Sequence, residues 1–387
     1  MKKINIGVIG LQFGGEFAPI YREHPGVAEV VICDHDETYL HAYGDKFGFT
    51  HRARDHRELL ADKSLDAVHV VTALGSHEPI SVDALNAGKH CACTVPMALS
   101  LDGLRRVVAA AKHSGKNYMM METAVFTHPC MFVKEMRDRG ELGRIQFMRG
   151  THFQDIENWP DYWKGLPPFW YATHAVAPMM FISGAKAKTI HCLGSGRLTE
   201  SYKSQYANPF PIETGIIEFE APDGHPLAAE LARNLFNTAN QYLEGFSIFG
   251  EKKSFVWEID QERPYLFEVT GPGRRKSGVD ITTTRYDAVD FSHRLPESIR
   301  RFTNEMVWLD PSDSRLRVPL QGGAHHGSHP HMVHEFVSSI IEGRKPLVNE
   351  TIAAAWCAVG LCGHESAMNR GAPVPIPDFE TCLTPPH

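Results

Sequence analysis

Short apolar runs alternate with amphipathic stretches over the first third of the chain. Strands are predicted at 4–9, 28–33, 66–72, 89–93 and 117–121, with helices between them at 13–23, 36–47, 55–61, 77–87 and 100–114. Strands separated by helices at this spacing pair in parallel and carry helices on both faces of their sheet. The pattern therefore predicts a doubly wound Rossmann domain, class α/β, over residues 1–124.

The pattern of predicted strands and helices changes after residue 125. A helix is predicted at 128–139, strands at 144–154, 187–196, 212–221, 226–236, 243–249 and 252–258, and helices at 331–343 and 350–369. Consecutive strands with few helices between them are typical of an antiparallel sheet. We therefore expect residues 125–387 to form an α+β domain with a large, mostly antiparallel open sheet, whose C-terminal helices pack back towards the first domain.

Composition and charge narrow the class of partner. The net charge is -7, and no block of lysine and arginine resembles a phosphate-binding stripe, which argues against nucleic acid. No apolar stretch approaches the roughly 18 residues of a membrane span. The run after Lys2 and Lys3 is short and broken by glycines, unlike a signal peptide. We expect a cytoplasmic protein that acts on a small molecule.

The eight cysteines fall mostly in apolar runs, so we expect buried thiols. Cys91 and Cys93 are separated by one residue, whereas zinc knuckles and redox pairs use a two-residue gap. The sequence therefore assigns no metal to these thiols.

A glycine-rich turn follows the first predicted strand and opens the first helix. It contains Gly10, Gln12, Phe13, Gly14 and Gly15. Such a turn presents backbone amides to a pyrophosphate, although Gln12 stands where G-x-G-x-x-G has its second glycine. Asp34 ends the second strand, where a carboxylate bonds the ribose hydroxyls and favours NAD over NADP. A glycine turn in an unrelated α/β protein is the alternative.

Three further segments resemble the Gfo/Idh/MocA oxidoreductases: Thr72-Ala-Leu-Gly-Ser-His77, Ala84-Leu-Asn-Ala-Gly-Lys-His90 and Thr94-Val-Pro96. The resemblance implies a Rossmann domain followed by an open antiparallel sheet, bound NAD, a carbohydrate substrate, and a homodimer or homotetramer. It also implies cofactor contacts from Thr72, Ala73, Leu74, His77, Thr94, Val95, Pro96 and Glu122. In the family's sugar dehydrogenases a lysine that assists the hydroxyl proton precedes this proline. Here the position holds Val95, which can move no proton.

The chain is also similar to one branch of that superfamily, the NAD-dependent glycosidases of glycoside hydrolase family 109, which carry Val-Pro at this place. Further segments of the resemblance are Met119-Met-Met-Glu122, Tyr171-Ala-Thr-His174-Ala-Val-Ala-Pro178, Ala353-Ala-Ala-Trp356 and Pro373-Val-Pro-Ile-Pro-Asp378. The branch implies transient oxidation of the sugar C3 hydroxyl, loss of the acidified C2 proton, elimination at C1, water addition and re-reduction.

The resemblance places Tyr171 and His174 in the active site, whereas the residues by themselves favour aromatic packing for Tyr171. His152 and Gln154 lie two apart on a predicted strand and so share one side, facing either the substrate or solvent. Tyr242 matches a further active-site position. Trp163 and Arg149 are expected at the substrate, and for a sulfonated sugar the candidate cations are Arg149, Lys164 and Arg233.

A histidine-rich run precedes the helix predicted at 331–343. It resembles a family loop G-H-G-G-x-D, in which His325 is the histidine and His329 stands where the acid would be. These two residues are expected at the catalytic and substrate-binding positions respectively. Histidines four apart also suggest a metal pair, but Pro330 and the glycines predict a loop, so no metal is assigned.

Three functions remain open from the sequence. The first is an NAD-dependent glycosidase, and the second is a sugar or inositol dehydrogenase that releases NADH. The third is a catalytically silent sugar or dinucleotide sensor. Val95 in place of the lysine separates the first from the second.

Overall fold

The structure, a computed structural model, describes residues 2–157, 159–202, 206–240, 242–257, 263–272, 278–304, 306–308, 319–321 and 324–379. These residues form two compact units. The first unit contains the described residues of Met1–Thr127, Asp290–Ala354 and Phe379–His387, and the second those of His128–Val289 and Ala355–Asp378.

The first unit is built on a six-stranded parallel sheet in the order β3-β2-β1-β4-β5-β6. Its strands are β1 (Ile4–Ile9), β2 (Val27–Cys33), β3 (Arg52–Ala53), β4 (Ala67–Val70), β5 (His90–Thr94) and β6 (Tyr118–Met121). The helices between them are α1 (Ala18–Glu23), α2 (Glu37–Phe47), α3 (His56–Ala61), α4 (Leu74–Asn86) and α5 (Leu101–Ser114). Both faces of the central strands are buried, which explains their unbroken apolar runs. The predicted Rossmann class is confirmed.

Local sequence signals explain where these helices begin and end. Asp36 caps α2 by accepting from the Thr38 amide, and Ser100 caps α5 by accepting from the Gly103 amide. Gly115 ends α5 in the left-handed conformation. The helix expected at 13–23 differs, because a 3₁₀ turn at Gly14–Glu16 precedes α1.

The second unit is built on a nine-stranded sheet in the order β14-β13-β12-β11-β7-β10-β9-β8-β17. Its elements are α6 (His128–Asp138), β7 (Ile145–Phe153), α7 (Thr173–Ser183), β8 (Lys186–Ser195), β9 (Ile212–Glu220), β10 (Pro226–Asn234), β11 (Leu243–Gly250), β12 (Lys253–Trp257), β13 (Tyr265–Pro272), β14 (Val279–Arg285) and β17 (Val374–Pro375). All strand pairs are antiparallel except β7 with β10, so the prediction of a mostly antiparallel sheet is confirmed.

Helix α7 was not among the helices predicted from the periodicity of apolar residues. Nine of its eleven residues are buried, so no polar stripe marks the helical period. The pattern also missed β13 and β14, and most of the described β14 side chains are exposed.

The remaining elements are α8 (Glu297–Arg300), β15 (Met306–Trp308), β16 (Pro319–Gln321), α9 (Ser328–Glu342) and α10 (Glu350–Met368). The loop expected over the histidine run is wrong from Ser328 onward, because α9 already begins there. Pro330 lies in the first turn of α9, where a helix needs no amide donor. Gly322, Gly323 and Cys382 lie outside the described residues. The seven described cysteines are buried, and no described helix has both the length and the apolar character of a membrane span.

Buried histidines of the first unit predict sensitivity to acid. Burial, with a smaller contribution from His334, lowers the pKa of His24 to about 4, and burial lowers the pKa of His69 to about 3. In the unfolded chain a histidine titrates near 6.5, so below that pH the unfolded state binds more protons than the folded state. The free energy of unfolding should therefore fall as the pH decreases from about 6.5 towards 4, by up to about 3 kcal/mol for each of these two histidines.

Urea unfolding at pH 7.5, 6.0 and 5.0 measures this dependence. A His24→Gln variant should lose part of the pH dependence, whereas His113→Gln, an exposed histidine at the end of α5, should keep all of it. Equal midpoints at all three pH values in the wild-type protein would contradict the expectation.

Candidate functional site

The first candidate site is the turn between β1 and α1, which contains all five glycine-turn residues named from the sequence. Gly10 adopts φ +89, and a Cβ there would lie 2.3 Å from the carbonyl oxygen of Val71. Any side chain at this position would therefore be strained and would clash. The close approach brings the turn against the segment that follows β4.

The turn and its neighbour Thr72 offer donors that fit a phosphate group. The amides of Gln12 and Phe13 make no hydrogen bond to another described residue, and the buried hydroxyl of Thr72 likewise has no partner among them. A Cβ on Gly10 would lie 3.4 Å from the Thr72 methyl group, which places Thr72 at the turn. Unsatisfied donors on one short segment are what binds a pyrophosphate in this fold. The residues present fit a dinucleotide.

Asp34 stands at the end of β2 and is 7% exposed. Its Oδ2 accepts from the Leu11 amide at 2.7 Å, and its Oδ1 accepts from the Asp36 amide at 2.9 Å. The carboxylate thus fastens the glycine turn to the neighbouring strand. Each carboxylate oxygen accepts more than one hydrogen bond, so this placement also fits recognition of the ribose hydroxyls.

The other residues implied as cofactor contacts surround the ends of β4, β5 and β6. The ring of His77 lies 2.9 Å from the Thr72 carbonyl oxygen and 2.8 Å from that of Pro96, so it ties these two loops together. Glu122 is fully buried and caps a 3₁₀ turn through the Ala124 amide. Thr94, Val95 and Leu74 are buried, and Ala73 is half-buried.

The second candidate site lies in the second unit and consists of six aromatic rings in continuous contact, here called the ring chain. In order along the chain of contacts these are Trp159, Trp163, Tyr171, His174, His152 and Tyr242, with successive centroid distances of 5.2, 5.0, 5.3, 4.9 and 5.2 Å. All five contacts are edge-to-face. The structure therefore brings together two phenols and two imidazoles that the sequence places up to 90 residues apart.

The ring chain is positioned by the packing of α7 on β7. Gly150 of β7 permits this contact, since a Cβ there would lie 2.2 Å from the Ala175 carbonyl oxygen. His152 is two residues further along the strand and therefore faces the same helix, where His174 occupies the first turn. Tyr171 lies in the preceding 3₁₀ turn and not in α7, so its contact with His174 does not arise from helical spacing.

Arg233 of β10 is fully buried and forms hydrogen bonds with residues of the ring chain and with Gln154. It donates to the carbonyl oxygens of Tyr171 and His152, each at 3.0 Å, and to Oε1 of Gln154 at 3.1 Å. Its guanidinium carbon also lies 5.2 Å from the centroid of the Tyr171 ring. Sequence reasoning offered Arg233 as a sulfonate ligand, whereas the structure gives it a bracing role.

Two carboxylates of this unit were missed by the sequence reasoning. Glu213 is fully buried, accepts from the Phe169 amide at 2.7 Å and lies 2.6 Å from Nδ1 of His364. These contacts anchor the 3₁₀ turn that contains Tyr171. Glu244 accepts from the Tyr242 hydroxyl at 2.5 Å. The available signal was the presence of carboxylates at inward-facing positions of predicted strands, where apolar residues are the rule.

Arg149 does not join the ring chain. It is an odd number of residues from His152 on β7 and lies on the opposite face, where its Nε is 2.5 Å from Oε2 of Glu230. Lys164 lies 2.7 Å from Oδ1 of Asp161 and is 43% exposed. Neither cation stands beside the phenols and imidazoles.

His325 and His329 belong to the first unit. His329 is fully buried: its Nδ1 lies 3.4 Å from Oε2 of Glu16, and its ring packs at 4.7 Å on Phe17. The ring of His325 lies 5.8 Å from that of His329. A side chain with no exposed surface does not present itself to a substrate in this conformation. In the described part of the chain, no group of three or more metal-ligating side chains is arranged to hold an ion.

The chain is similar to known proteins in its sequence. Residues 4–122 match the family model described as an oxidoreductase family with an NAD-binding Rossmann fold. A glycosyl hydrolase family 109 protein of Phocaeicola vulgatus is 22% identical over 97% of this chain and 84% of its own.

Solved structures share the fold over most of the chain. One is a levoglucosan dehydrogenase in complex with NADH and L-sorbose, with a TM-score of 0.75 and 19% identity over 98% of this chain and 100% of its own. Another is an oxidoreductase from Agrobacterium radiobacter in complex with NAD+, L-tartaric acid and magnesium. It has a TM-score of 0.72 and 18% identity, and the match covers 97% of this chain and 99% of its own. The resemblance stated from the sequence motifs is confirmed.

Proposed function

We propose that the protein is an NAD-dependent glycosidase, on the premise that residues 4–122 match the Gfo/Idh/MocA oxidoreductase family with its NAD-binding Rossmann fold. The observation that carries the proposal is the ring chain, in which two phenols and two imidazoles meet. Val95 adds to it, because the base usual in sugar dehydrogenases is missing. Relatives named glycosyl hydrolase family 109 proteins over 97% of the chain support the same activity.

The chemistry requires residues that move two protons. When bound, NAD supplies a reversible hydride acceptor for the carbon that carries the C3 hydroxyl. A ketone at C3 acidifies the C2 proton, since the resulting carbanion is an enolate, and this makes elimination of the C1 substituent accessible. The protein must therefore take one proton from the C3 hydroxyl and a second from C2, and return both.

The ring chain offers one group suited to each proton. We assign the C2 proton to His174, because an imidazole is the side chain that accepts and returns a proton near neutral pH. We assign the C3 hydroxyl proton to Tyr242, a residue that is 42% exposed and whose hydroxyl donates to Oε2 of Glu244. Tyr171 and His152 hold these two groups in edge-to-face contact.

The same geometry supports a neutral sugar over an anionic or sulfonated one. All three nitrogen atoms of the Arg233 guanidinium donate within the unit. Arg149 lies on the other face of the sheet beside Glu230, and Lys164 is paired with Asp161. None of the three candidate cations is thus presented to a sulfonate at the ring chain.

Deuterium incorporation tests the proposed reaction. Purified protein is incubated in heavy water with a panel of 4-nitrophenyl α- and β-pyranosides and without added cofactor. We expect release of nitrophenol together with one deuterium at C2 of the sugar, because the C2 proton exchanges with solvent while the C3 ketone exists. The control is the free sugar incubated with protein in heavy water.

The same experiment separates the alternatives. Nitrophenol release without deuterium at C2 would show a direct hydrolysis and contradict the mechanism. Stoichiometric accumulation of NADH after addition of NAD and free sugars, without glycoside cleavage, would identify a net dehydrogenase. Binding of NAD with neither turnover nor exchange would favour a sensor.

A further inference from the structure

Glu244 lies in a group of three polar side chains on neighbouring strands of the nine-stranded sheet. In the strand pairing, Glu244 of β11 lies opposite His152 of β7, and Arg233 of β10 lies opposite the same histidine from the other side. A carboxylate, an imidazole and a guanidinium therefore stand side by side on three adjacent strands. Glu244 is 1% exposed and Arg233 is fully buried.

A carboxylate at this depth is costly unless it is engaged by hydrogen-bond donors. The Tyr242 hydroxyl supplies one such donor, with its oxygen 2.5 Å from Oε2 of Glu244. Burial, followed by the nearby charge of Glu244, raises the pKa of Tyr242 well above its usual value. At neutral pH the phenol is thus protonated, and its hydrogen points at the carboxylate.

This arrangement limits what Tyr242 can do by itself. A protonated phenol accepts a hydrogen bond from a sugar hydroxyl but cannot keep the proton of that hydroxyl unless it gives up its own. The group that lies along the phenolic O–H bond is Oε2 of Glu244. A route for the displaced proton therefore already exists in the folded protein.

We propose that Glu244 is a positioning residue that takes the phenolic proton of Tyr242 when Tyr242 accepts the proton of the sugar hydroxyl. The substrate O–H bond breaks and a new O–H bond forms on Tyr242. The original phenolic proton moves to Oε2 of Glu244, which becomes a neutral carboxylic acid. A bound dinucleotide in its oxidised form would accept the hydrogen of that carbon as a hydride, and the return of the hydride would reverse the proton movement.

The inference rests on the proposed function and explains how a chain with Val95 in place of the usual lysine obtains its base. Its electrostatic part also makes a prediction that does not depend on catalysis. Removing the negative charge of Glu244 should lower the pKa of Tyr242, because that charge disfavours the phenolate. A lower phenol pKa by itself would make Tyr242 a more available base at neutral pH.

The test compares Glu244→Gln with the wild-type protein in two measurements. Glutamine keeps the size of the side chain and an acceptor oxygen but cannot take up a proton. With tyrosine labelled at Cζ and Tyr242→Phe used for assignment, NMR titration should show a lower pKa for Tyr242 in Glu244→Gln. The turnover number at pH 7 should nevertheless fall by about 100-fold, and recover towards alkaline pH as the phenol ionises.

Two controls make the comparison specific. Glu230→Gln, on β10 of the same sheet but on the opposite face, should leave both the Tyr242 pKa and the turnover number unchanged. In the Tyr242→Phe background, Glu244→Gln should cost almost nothing further, because a residue that acts through Tyr242 has no effect without it.

The outcomes distinguish the two proposals. A turnover number within threefold of wild type over the whole pH range in Glu244→Gln, with normal wild-type turnover, would overturn the relay alone. An equal loss at every pH with an unchanged Tyr242 pKa would assign Glu244 a purely structural role and also overturn it. Absence of C2 exchange and of NAD reduction in the wild-type protein would overturn the proposed function, and the relay with it.

Discussion

Replacing Gly10 with alanine is expected to weaken NAD binding by at least about 100-fold. The added methyl group would lie 2.3 Å from the carbonyl oxygen of Val71, a distance that real Cβ atoms do not show. Alanine also pays roughly 1–2 kcal/mol for the left-handed φ of +89 that this turn requires. The clash can be relieved only if the turn moves, and the amides of Gln12 and Phe13, which are proposed to bind the pyrophosphate, then move as well.

Gly88→Ala is the matched control for the Gly10 experiment. Gly88 has φ +77, but a Cβ there would have no atom within 4 Å. The Gly88→Ala variant therefore has the same kind of backbone strain as Gly10→Ala but no steric clash. Titration calorimetry with NAD should give near wild-type affinity for Gly88→Ala and no measurable heat for Gly10→Ala. Equal affinities in the two variants would show that the turn does not hold the dinucleotide.

Replacement of His174 by asparagine is expected to reduce the turnover number by about 10²–10⁴-fold. His174 is 4% exposed and contacts the rings of both His152 and Tyr171. Asparagine retains polarity and hydrogen bonding but cannot accept the C2 proton. The affinity for NAD should not change, because the glycine turn belongs to the other compact unit.

His191→Asn controls for the loss of an imidazole from the same sheet. His191 lies on β8 and is 43% exposed beside Glu218, and it takes no part in the ring chain. Its substitution should leave turnover unchanged. The informative measurement is the rate of deuterium incorporation at C2: retention of wild-type exchange in His174→Asn would assign the C2 proton to another group.

Much of the first unit follows from local sequence patterns. The parallel strands are buried on both faces and therefore read as apolar runs, and helix caps such as Asp36 and Ser100 mark the starts of helices. The turn at Gly10 is recognisable because closely spaced glycines follow directly after a predicted strand and open a predicted helix. These features depend on neighbours along the chain.

The ring chain depended on contacts that local patterns do not encode. Tyr171 and His174 were assigned by resemblance, and their ring contact joins a 3₁₀ turn to the first turn of α7. His329 is sequestered against Glu16, about 310 residues away in the sequence. Arg149 was expected at the substrate, but the contact of its Nε with Glu230 places it on the face of β7 opposite His152.

The amino-acid sequence by itself determined the two-part architecture, because that architecture follows from the periodicity of apolar residues. It also determined the glycine turn with Asp34 and the presence of Val95 in place of a lysine, because these depend on the residue type at single positions. Only the tertiary structure decided that Arg233 and Glu244 flank His152. That arrangement is set by the register of β10 and β11 against β7, strands whose facing residues lie 81 and 92 positions away from His152. A shift of one residue in either pairing would turn the carboxylate or the guanidinium to the other face, and no local pattern encodes that choice.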